Sequence, residues 1–529
     1  MHLEEVFQAH REGTLPLKLD PETSNKLLKS LFPASSKLLD DQVCETISRC
    51  VCATEINLAG IRMVQQHIRI VKNQDLISLT LGSSELLPIY HRSKKSGSDS
   101  KSEIDLDALL KDMLSQGSRE QLAYLDLSIV GSDGQFVDGW AQTIFTLLPS
   151  LTYLLLRDRF IMTKEFEILC SRCPNLQLLD LTNTHLSSLT GISNIQNLKT
   201  LHIGCLPITK SDDLSDLFEI KELQSLNFMC SESGCQCQEN GNNVHHWYME
   251  SKKNLPVLEF VDFSYLRIDD NIVQKFVGEH PSLKTISVCG TEVKNLTYQG
   301  ITILHNKTIK GTVESLDFYL DQKNTWIINK LLIDIDTLLA NSDNNTSQED
   351  IQKCWQTVTS VLETYGFLET VRKNGVDCFE QVIEFALLED VSMDDRLKTI
   401  NVFLDLIAQS LPRILLEDDF QLSIKPWSIL ENRELLMETP NVDYNRIAPL
   451  AMLFLNASDK GDEDNIPHLM IFDMIGEFVD PETKGFEMLD VVKVLENLQT
   501  ISKNKDLDRS VRQAAKRTMN FVLNHFPVI

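Results

Sequence analysis

The sequence predicts a repeat protein in two parts, an α/β solenoid built from short strands followed by an all-helical solenoid. Three observations carry this. The pattern Leu-x-x-Leu-x-Leu, with other apolar residues substituting, recurs between Ala53 and Phe318. Apolar residues then return at helical spacing for the rest of the chain. Glycine is scarce, 21 in 529 residues, which leaves little of the glycine-rich loop that phosphate-binding folds require.

The strand pattern is the stronger signal. Its first clear copy is Leu76, Leu79 and Leu81, preceded by a degenerate one, Ala53, Ile56 and Leu58. Copies follow at Leu122-Leu125-Leu127, Leu151-Leu154-Leu156, Leu176-Leu179-Leu181, Leu198-Leu201-Ile203 and Leu223-Leu226-Phe228. Leu258-Val261-Phe263, Leu283-Ile286-Val288 and a weaker Val313-Leu316-Phe318 complete the series. From Leu76 onward the leading positions lie 46, 29, 25, 22, 25, 35, 25 and 30 residues apart. Most steps fit the period of roughly 20–29 residues of leucine-rich repeats, in which a short strand turns into a returning helical segment. One such unit cannot bury its apolar face alone, so neighbours stack. The longer steps are insertions. His91–Asp105 is polar and reads as an exposed loop, and Met229–Asn243 is a second, rich in Cys, Ser, Gly and Asn.

Beyond Leu320 the period changes. Trp326, Ile327, Leu331, Leu332, Ile335, Leu338 and Leu339 share one helical face, and Ile351, Cys354, Trp355, Val358, Val361 and Leu362 share another. Leu397, Ile400, Phe403, Leu404 and Ile407 form a third, and Val511, Ala514, Ala515, Met519, Val522 and Phe526 the last. Amphipathic helices in short-looped series indicate an armadillo- or HEAT-like solenoid, with a compact bundle as the alternative. Residues 1–48, with Leu27, Leu28, Leu31 and Phe32 clustered, read as a helical cap on the first repeat. The expected organisation is therefore cap 1–48, leucine-rich repeats 49–320 and armadillo-like helices 321–529.

Composition narrows the function. A formal charge of −26 argues against nucleic acid as partner, because phosphate contacts need a basic surface. No apolar run approaches the roughly 20 residues of a membrane span, and Glu4 and Glu5 stand where a secretory signal carries basic residues. A cytoplasmic or nuclear protein is expected. The twelve cysteines then read as small buried hydrophobes and thiols.

The sequence carries little that points to bond chemistry. Phosphate loops, zinc-protease helices and nucleophile elbows are absent from the sequence, so neither catalysis nor a cofactor is expected. Cys230, Cys235, Cys237, His245 and His246 offer zinc-type ligands, but C-x4-C-x-C lacks the paired C-x2-C knuckle. The cluster reads as a loop with thiols, and no metal is expected. The acidic run Asp459, Asp462, Glu463 and Asp464 lacks the spacing of a calcium loop and reads as a solvated turn.

The order of elements resembles the Zyg-eleven/Zer-one family, substrate receptors of cullin-two RING ubiquitin ligases. His2-Leu3-Glu4-Glu5, Gly13-Thr14-Leu15 and Pro21–Phe32 look like that family's segment before its repeats. Leu176–Thr184 resembles its "LxxLDIxNT" repeat, and Arg509–Phe526 its final helix. The resemblance implies a non-catalytic adaptor whose partners are proteins: elongin B/C, cullin-two, and substrate proteins or their N-termini. In the family an elongin-binding helix, Ser/Thr-Leu-x3-Cys-x3-apolar, precedes the region matching Met1, and this chain is expected to begin after it. The nearest local imitation is Ser30-Leu31-x3-Ser35-x3-Leu39, with serine for cysteine and Pro33 against a helix. The family's helical part captures N-terminal glycine. The corresponding stretches here are Ser360–Tyr365 and Asp405–Gln409, so Glu363, Asp405 and Gln409 are the residues expected to hold an ammonium. Trp355 is either core or groove. The alternative reading is a binding scaffold that has lost the elongin and glycine contacts.

Overall fold

The computed structural model describes residues 18–32, 41–93, 102–128, 135–230, 244–341, 346–417, 421–457, 466–483, 486 and 490–526. The chain divides into two compact units, Met1–Ser315 and Leu316–Ile529. The first is a leucine-rich-repeat solenoid and the second an all-helical one.

Ten three-residue strands form one parallel sheet in the first unit: β1 (Glu55–Asn57), β2 (Ser78–Thr80), β5 (Tyr124–Asp126), β6 (Tyr153–Leu155), β7 (Leu178–Asp180), β8 (Thr200–His202), β9 (Ser225–Asn227), β10 (Phe260–Asp262), β11 (Thr285–Ser287) and β12 (Thr302–Leu304). Two further strands, β3 (His91–Ser93) and β4 (Ser102–Ile104), stand apart as an antiparallel pair. Within the parallel sheet, the middle residue of each strand up to β11 is the second apolar residue of its repeat, buried beneath the sheet from Ile56 to Ile286. Registry is strict: Leu179 lies opposite Leu201 and Leu201 opposite Leu226. A slip of one residue would turn every one of these side chains out of the core, so the leucine pattern itself sets the register.

The turns after five of the strands share one chemistry. Asn57, Asp126, Asp180, Asn227 and Asp262 each accept, through Oδ1, the backbone N–H two residues on, at 2.7–2.9 Å. This side-chain turn satisfies a donor that the departing chain would otherwise leave open. Two residues past the last apolar position the backbone is left-handed at Gly60, Asp158, Asn183, Cys205, Tyr265 and Gly290, with φ between 56° and 74°. Glycine and asparagine suit that conformation, whereas cysteine and tyrosine do not favour it.

Two sequence expectations are corrected. Val313-Leu316-Phe318 is not a strand but lies in helix α1 (Ile309–Asp321), where Val313, Leu316 and Tyr319 are buried and Phe318 is only half-buried. Leu-x-x-Leu is also a helical spacing, and only the third residue separates the two readings. The tenth strand is β12, with Ile303 opposite Ile286. The polar insertion after His91 is not wholly loop either. Its ends pair as β3 and β4, with Arg92 opposite Glu103, and Ile104 is buried.

At the start of the solenoid the helix Pro21–Leu31 covers the first strand. Asp20 caps it, and Leu27, Leu28, Leu31 and Phe32 are buried. Its polar side is used as well: Asn25 Oδ1 accepts the amides of Thr54 and Glu55, and Ser24 Oγ that of Cys52. Backbone donors at the sheet's leading edge are thereby occupied, which is what an edge strand needs to avoid pairing with another chain.

The second unit begins inside α1. It continues with α2 (Thr325–Ala340), α3 (Gln348–Tyr365), α4 (Glu369–Phe385), α5 (Met393–Glu417), α6 (Gln421–Leu430), α7 (Arg433–Met437), α8 (Tyr444–Ala457), α9 (Ile466–Ile475), α10 (Val491–Lys503) and α11 (Arg509–His525). Helices α3 and α4, α5 and α6, α8 and α9, and α10 and α11 pack as successive hairpins. Within the stack α3, α5, α8 and α10 form one layer, and α2, α4, α6, α9 and α11 the other. Aromatic rings fill the space between layers. Trp355 meets Phe379 edge-on at 4.7 Å, and Phe454 stacks on His468 at 4.7 Å.

Candidate functional site

The residues singled out in the helical unit lie on one layer, α3 and α5, with α8 beside them. Glu363, near the end of α3, is paired with Lys398 of α5 at 2.9 Å. Asp405 of α5 is paired with Arg446 of α8, whose guanidinium also reaches Asn401. Gln409 lies one turn beyond Asp405 and is half-buried, and its Oε1 is enclosed with no hydrogen-bond partner among the described residues. The result is a polar seam crossing three helices, in which both carboxylates already hold a cation of this chain. An incoming ammonium would have to displace Lys398 or Arg446, or share a carboxylate with it.

Trp355 is fully buried, and its indole N–H donates to Thr399 Oγ1 at 2.9 Å. It is therefore core, as its place on the apolar face allowed, and reaches the surface only as the floor of a notch of about 130 Å³. Gln356, Thr359, Ser360, Asp395 and Lys398 form the walls. Gln356 Nε2 donates to Asp395 Oδ2 at 2.9 Å, so the notch is polar and internally bonded.

The other predicted positions do not come together. Leu31 is buried in the cap helix, while Ser35 and Leu39 lie outside the described residues. Of the cysteine–histidine cluster, Cys235 and Cys237 also lie outside them. Cys230 and His245 are buried, and His246 is exposed and 3.3 Å from Glu250. Burial holds the His245 imidazole down at about 4, so it is neutral at physiological pH. Among the described residues no three His, Cys, Asp or Glu side chains are placed to hold a metal. The acidic run Asp459–Asp464 is outside the described residues as well.

A second constellation escaped residue-by-residue reading of the sequence. Each strand offers two residues to the open face of the sheet, one on each side of its buried centre. On one side run Tyr124, Tyr153, Leu178 and Phe260, with Tyr124 and Tyr153 6.2 Å apart and Tyr153 exposed. On the other run Asp126, Asp180, His202, Asn227, Asp262 and Ser287. Here charge is buried. Asp180 is fully enclosed, 3.1 Å from Arg157, and His202 Nδ1 lies 3.3 Å from the same oxygen, within ion-pair reach although not aligned as a hydrogen bond. Burial pushes the Asp180 carboxyl up, but Arg157, His202 and the Thr182 side chain more than offset it, so it is held well below the usual carboxylate range. Asp126, two strands away beyond Leu155 of β6, is raised by its burial. Asn227 donates to Asp262 at 2.9 Å and Ser264 meets Ser287 at 2.8 Å, extending the polar row across the next strands. The signal was present in the sequence as an Asp or Asn recurring before the third apolar residue of the repeat, but strand periodicity says nothing about the residues between the leucines.

A stacked sheet with a polar-and-aromatic face, followed by layered helical hairpins, defines a two-solenoid repeat protein. Comparison with known proteins places a relative beside it. The chain is 23% identical over 465 residues, 87% of its length, to Gastrulation-defective protein 3 of Caenorhabditis elegans, which is related to the Zyg-eleven family. It spans 63% of that relative's length. No family model matches the chain. Among solved structures an internalin of Listeria monocytogenes aligns with 50% of this chain and 69% of its own, at 16% identity and a TM-score of 0.27. At that score the match adds nothing to the sheet topology already described.

Proposed function

We propose that this chain is the substrate-recognition or adaptor subunit of a cullin-RING ubiquitin ligase, without bond chemistry of its own, working in the cytoplasm, the nucleus or both. The observation that carries the reading is the alignment with the worm relative, which at 465 residues is longer than either unit and so includes parts of both solenoids. Solenoids suit such a role, since stacked repeats present extended surfaces on a rigid frame. Its partners would be elongin B/C, cullin-two, and target proteins or their N-termini. Glu363, Asp405 and Gln409 would receive a target's ammonium, the enclosed Gln409 oxygen supplying an acceptor that is not already used.

One observation favours a second reading, a scaffold without ligase contacts. Lys398 and Arg446 already neutralise the two carboxylates that an ammonium would need.

Co-elution of the purified chain with elongin B/C and cullin-two tests the proposal, run also with any coding sequence that lies upstream of Met1. The receptor reading expects a stoichiometric complex with at least one version. Separate elution of both overturns it and leaves the scaffold.

A further inference from the structure

In six repeats the turn position two residues past the last apolar residue is left-handed, and in four of them it is glycine, asparagine or aspartate, residues that accept it readily. At Cys205 a cysteine holds it, with φ 57°. Cys230 is the same position of the next repeat. β8 and β9 run in parallel with His202 opposite Asn227, and three residues further along each chain lie Cys205 and Cys230. Adjacent parallel strands are about 4.8 Å apart, inside the roughly 4.4–6.8 Å between Cα atoms that a disulfide spans. The side chains use that proximity: Cys205 Sγ is 3.1 Å from Cys230 Sγ, and no disulfide joins them. Cys205 is half-buried and Cys230 is 1% exposed, so one thiol can be reached from solvent and the other stands behind it. Cys354 and Cys378 adjoin each other but both are fully enclosed in the helical core, and burial pushes the Cys173 thiol up to about 11.

We propose that Cys205 and Cys230 form an oxidisable thiol pair that a hydroperoxide closes into a disulfide across two consecutive repeats. The thiolate of Cys205 attacks the peroxide, breaking the O–O bond to give a sulfenic acid, and the leaving hydroxide takes up the proton that the thiol lost, departing as water. Cys230 Sγ then attacks the Cys205 sulfur, and the sulfenic hydroxyl leaves as water with the Cys230 proton. Two thiols and one hydrogen peroxide become one disulfide and two waters. Each sulfur is oxidised by one electron, and the peroxide takes up both. The bond would tie the turn after β8 to the turn after β9, converting a stacking contact of the solenoid into a covalent one.

The test is peptide mapping of the full chain under non-reducing conditions, after treatment with hydrogen peroxide or with a phosphine reductant. The oxidised sample is expected to contain a linked pair of peptides carrying Cys205 and Cys230, lighter than the separate peptides by two hydrogens and split again by the reductant. Cys230→Ser should remove the linked pair and leave Cys205 as a sulfenic acid that dimedone labels. Cys205→Ser should leave Cys230 unoxidised. The proposal is overturned if wild-type Cys205 goes on to sulfinic acid with no linked pair, if neither thiol reacts, or if Cys205 links to Cys235 or Cys237 instead.

Discussion

Removing the Arg157–Asp180 pair is the sharpest test of how the repeat sheet is held together. Asp180 is fully enclosed and Arg157 is 16% exposed, so neither charge can be rehydrated in place if the other is deleted. Loss of one member of a buried pair costs about 3–5 kcal/mol, because the survivor stays buried with its closest opposite charge gone, here with only His202 and the Thr182 amide left beside Asp180. Asp180→Ala also removes the acceptor of the Thr182 amide, 2.9 Å away, and belongs at the top of that range. Asp180→Asn keeps the turn, as Asn57 and Asn227 do in their repeats, and loses only the charge, so about 1.5–3 kcal/mol is expected. In a cycle with Arg157→Leu the double variant should be less destabilised than the sum of the singles by about 1–3 kcal/mol. A chain of two units need not unfold in one step, so amide hydrogen exchange at β7 and β8 is the right assay rather than a single melting curve. Strict additivity of the two substitutions would refute the account. The pH dependence has a definite sign. The folded carboxyl titrates below its unfolded value of about 3.9, so its stabilisation is complete above about pH 4 and fades as pH falls through the folded value.

Gly204→Ala should destabilise the same region by about 1–3 kcal/mol, because its new Cβ would lie 1.9 Å from the Met229 carbonyl oxygen, which is backbone and cannot move aside cheaply. Gly278→Ala, in the helix Asp270–Glu279 with open space around the new methyl, should instead raise stability by about 0.5–1 kcal/mol, and urea unfolding distinguishes the two signs. Trp355→Ala should cost the helical unit about 3–5 kcal/mol as a large core truncation, and Trp355→Phe about 1 kcal/mol for the hydrogen bond to Thr399, both read by denaturant titration. Lys398→Ala should strengthen binding of free-amine peptides at the polar seam if Glu363 takes part, and equal binding of acetylated and free-amine peptides to that variant would remove the seam as an ammonium site.

Where the sequence could be read, one physical constraint dominated. The buried centre of each strand must be apolar and must recur, so Leu79, Leu125, Leu154 and their equivalents announced the sheet. The tenth copy misled because Val313 and Leu316 satisfy both a strand pattern and a helix, and the change to helix comes within that segment. The candidate site was less legible for a different reason. Glu363 and Asp405 could be named from the residues that the resemblance aligned, but their partners Lys398 and Arg446 lie 35 and 41 residues further along the chain and meet them only through packing of α3, α5 and α8. The Arg157–Asp180–His202 network was invisible for the same reason: its members sit in consecutive repeats and are neighbours only once the sheet stacks.

The most direct measurement of the central claim is the turnover of the proteins that this chain binds. Proteins co-purifying with the tagged chain are identified, and their half-lives are compared in cells that contain the chain, cells that lack it, and cells in which cullin activation is blocked. A substrate receptor predicts that bound proteins live longer in both of the latter, with no change in proteins that do not bind. Unchanged half-lives of the bound proteins in all three would contradict it and identify the two solenoids as a scaffold.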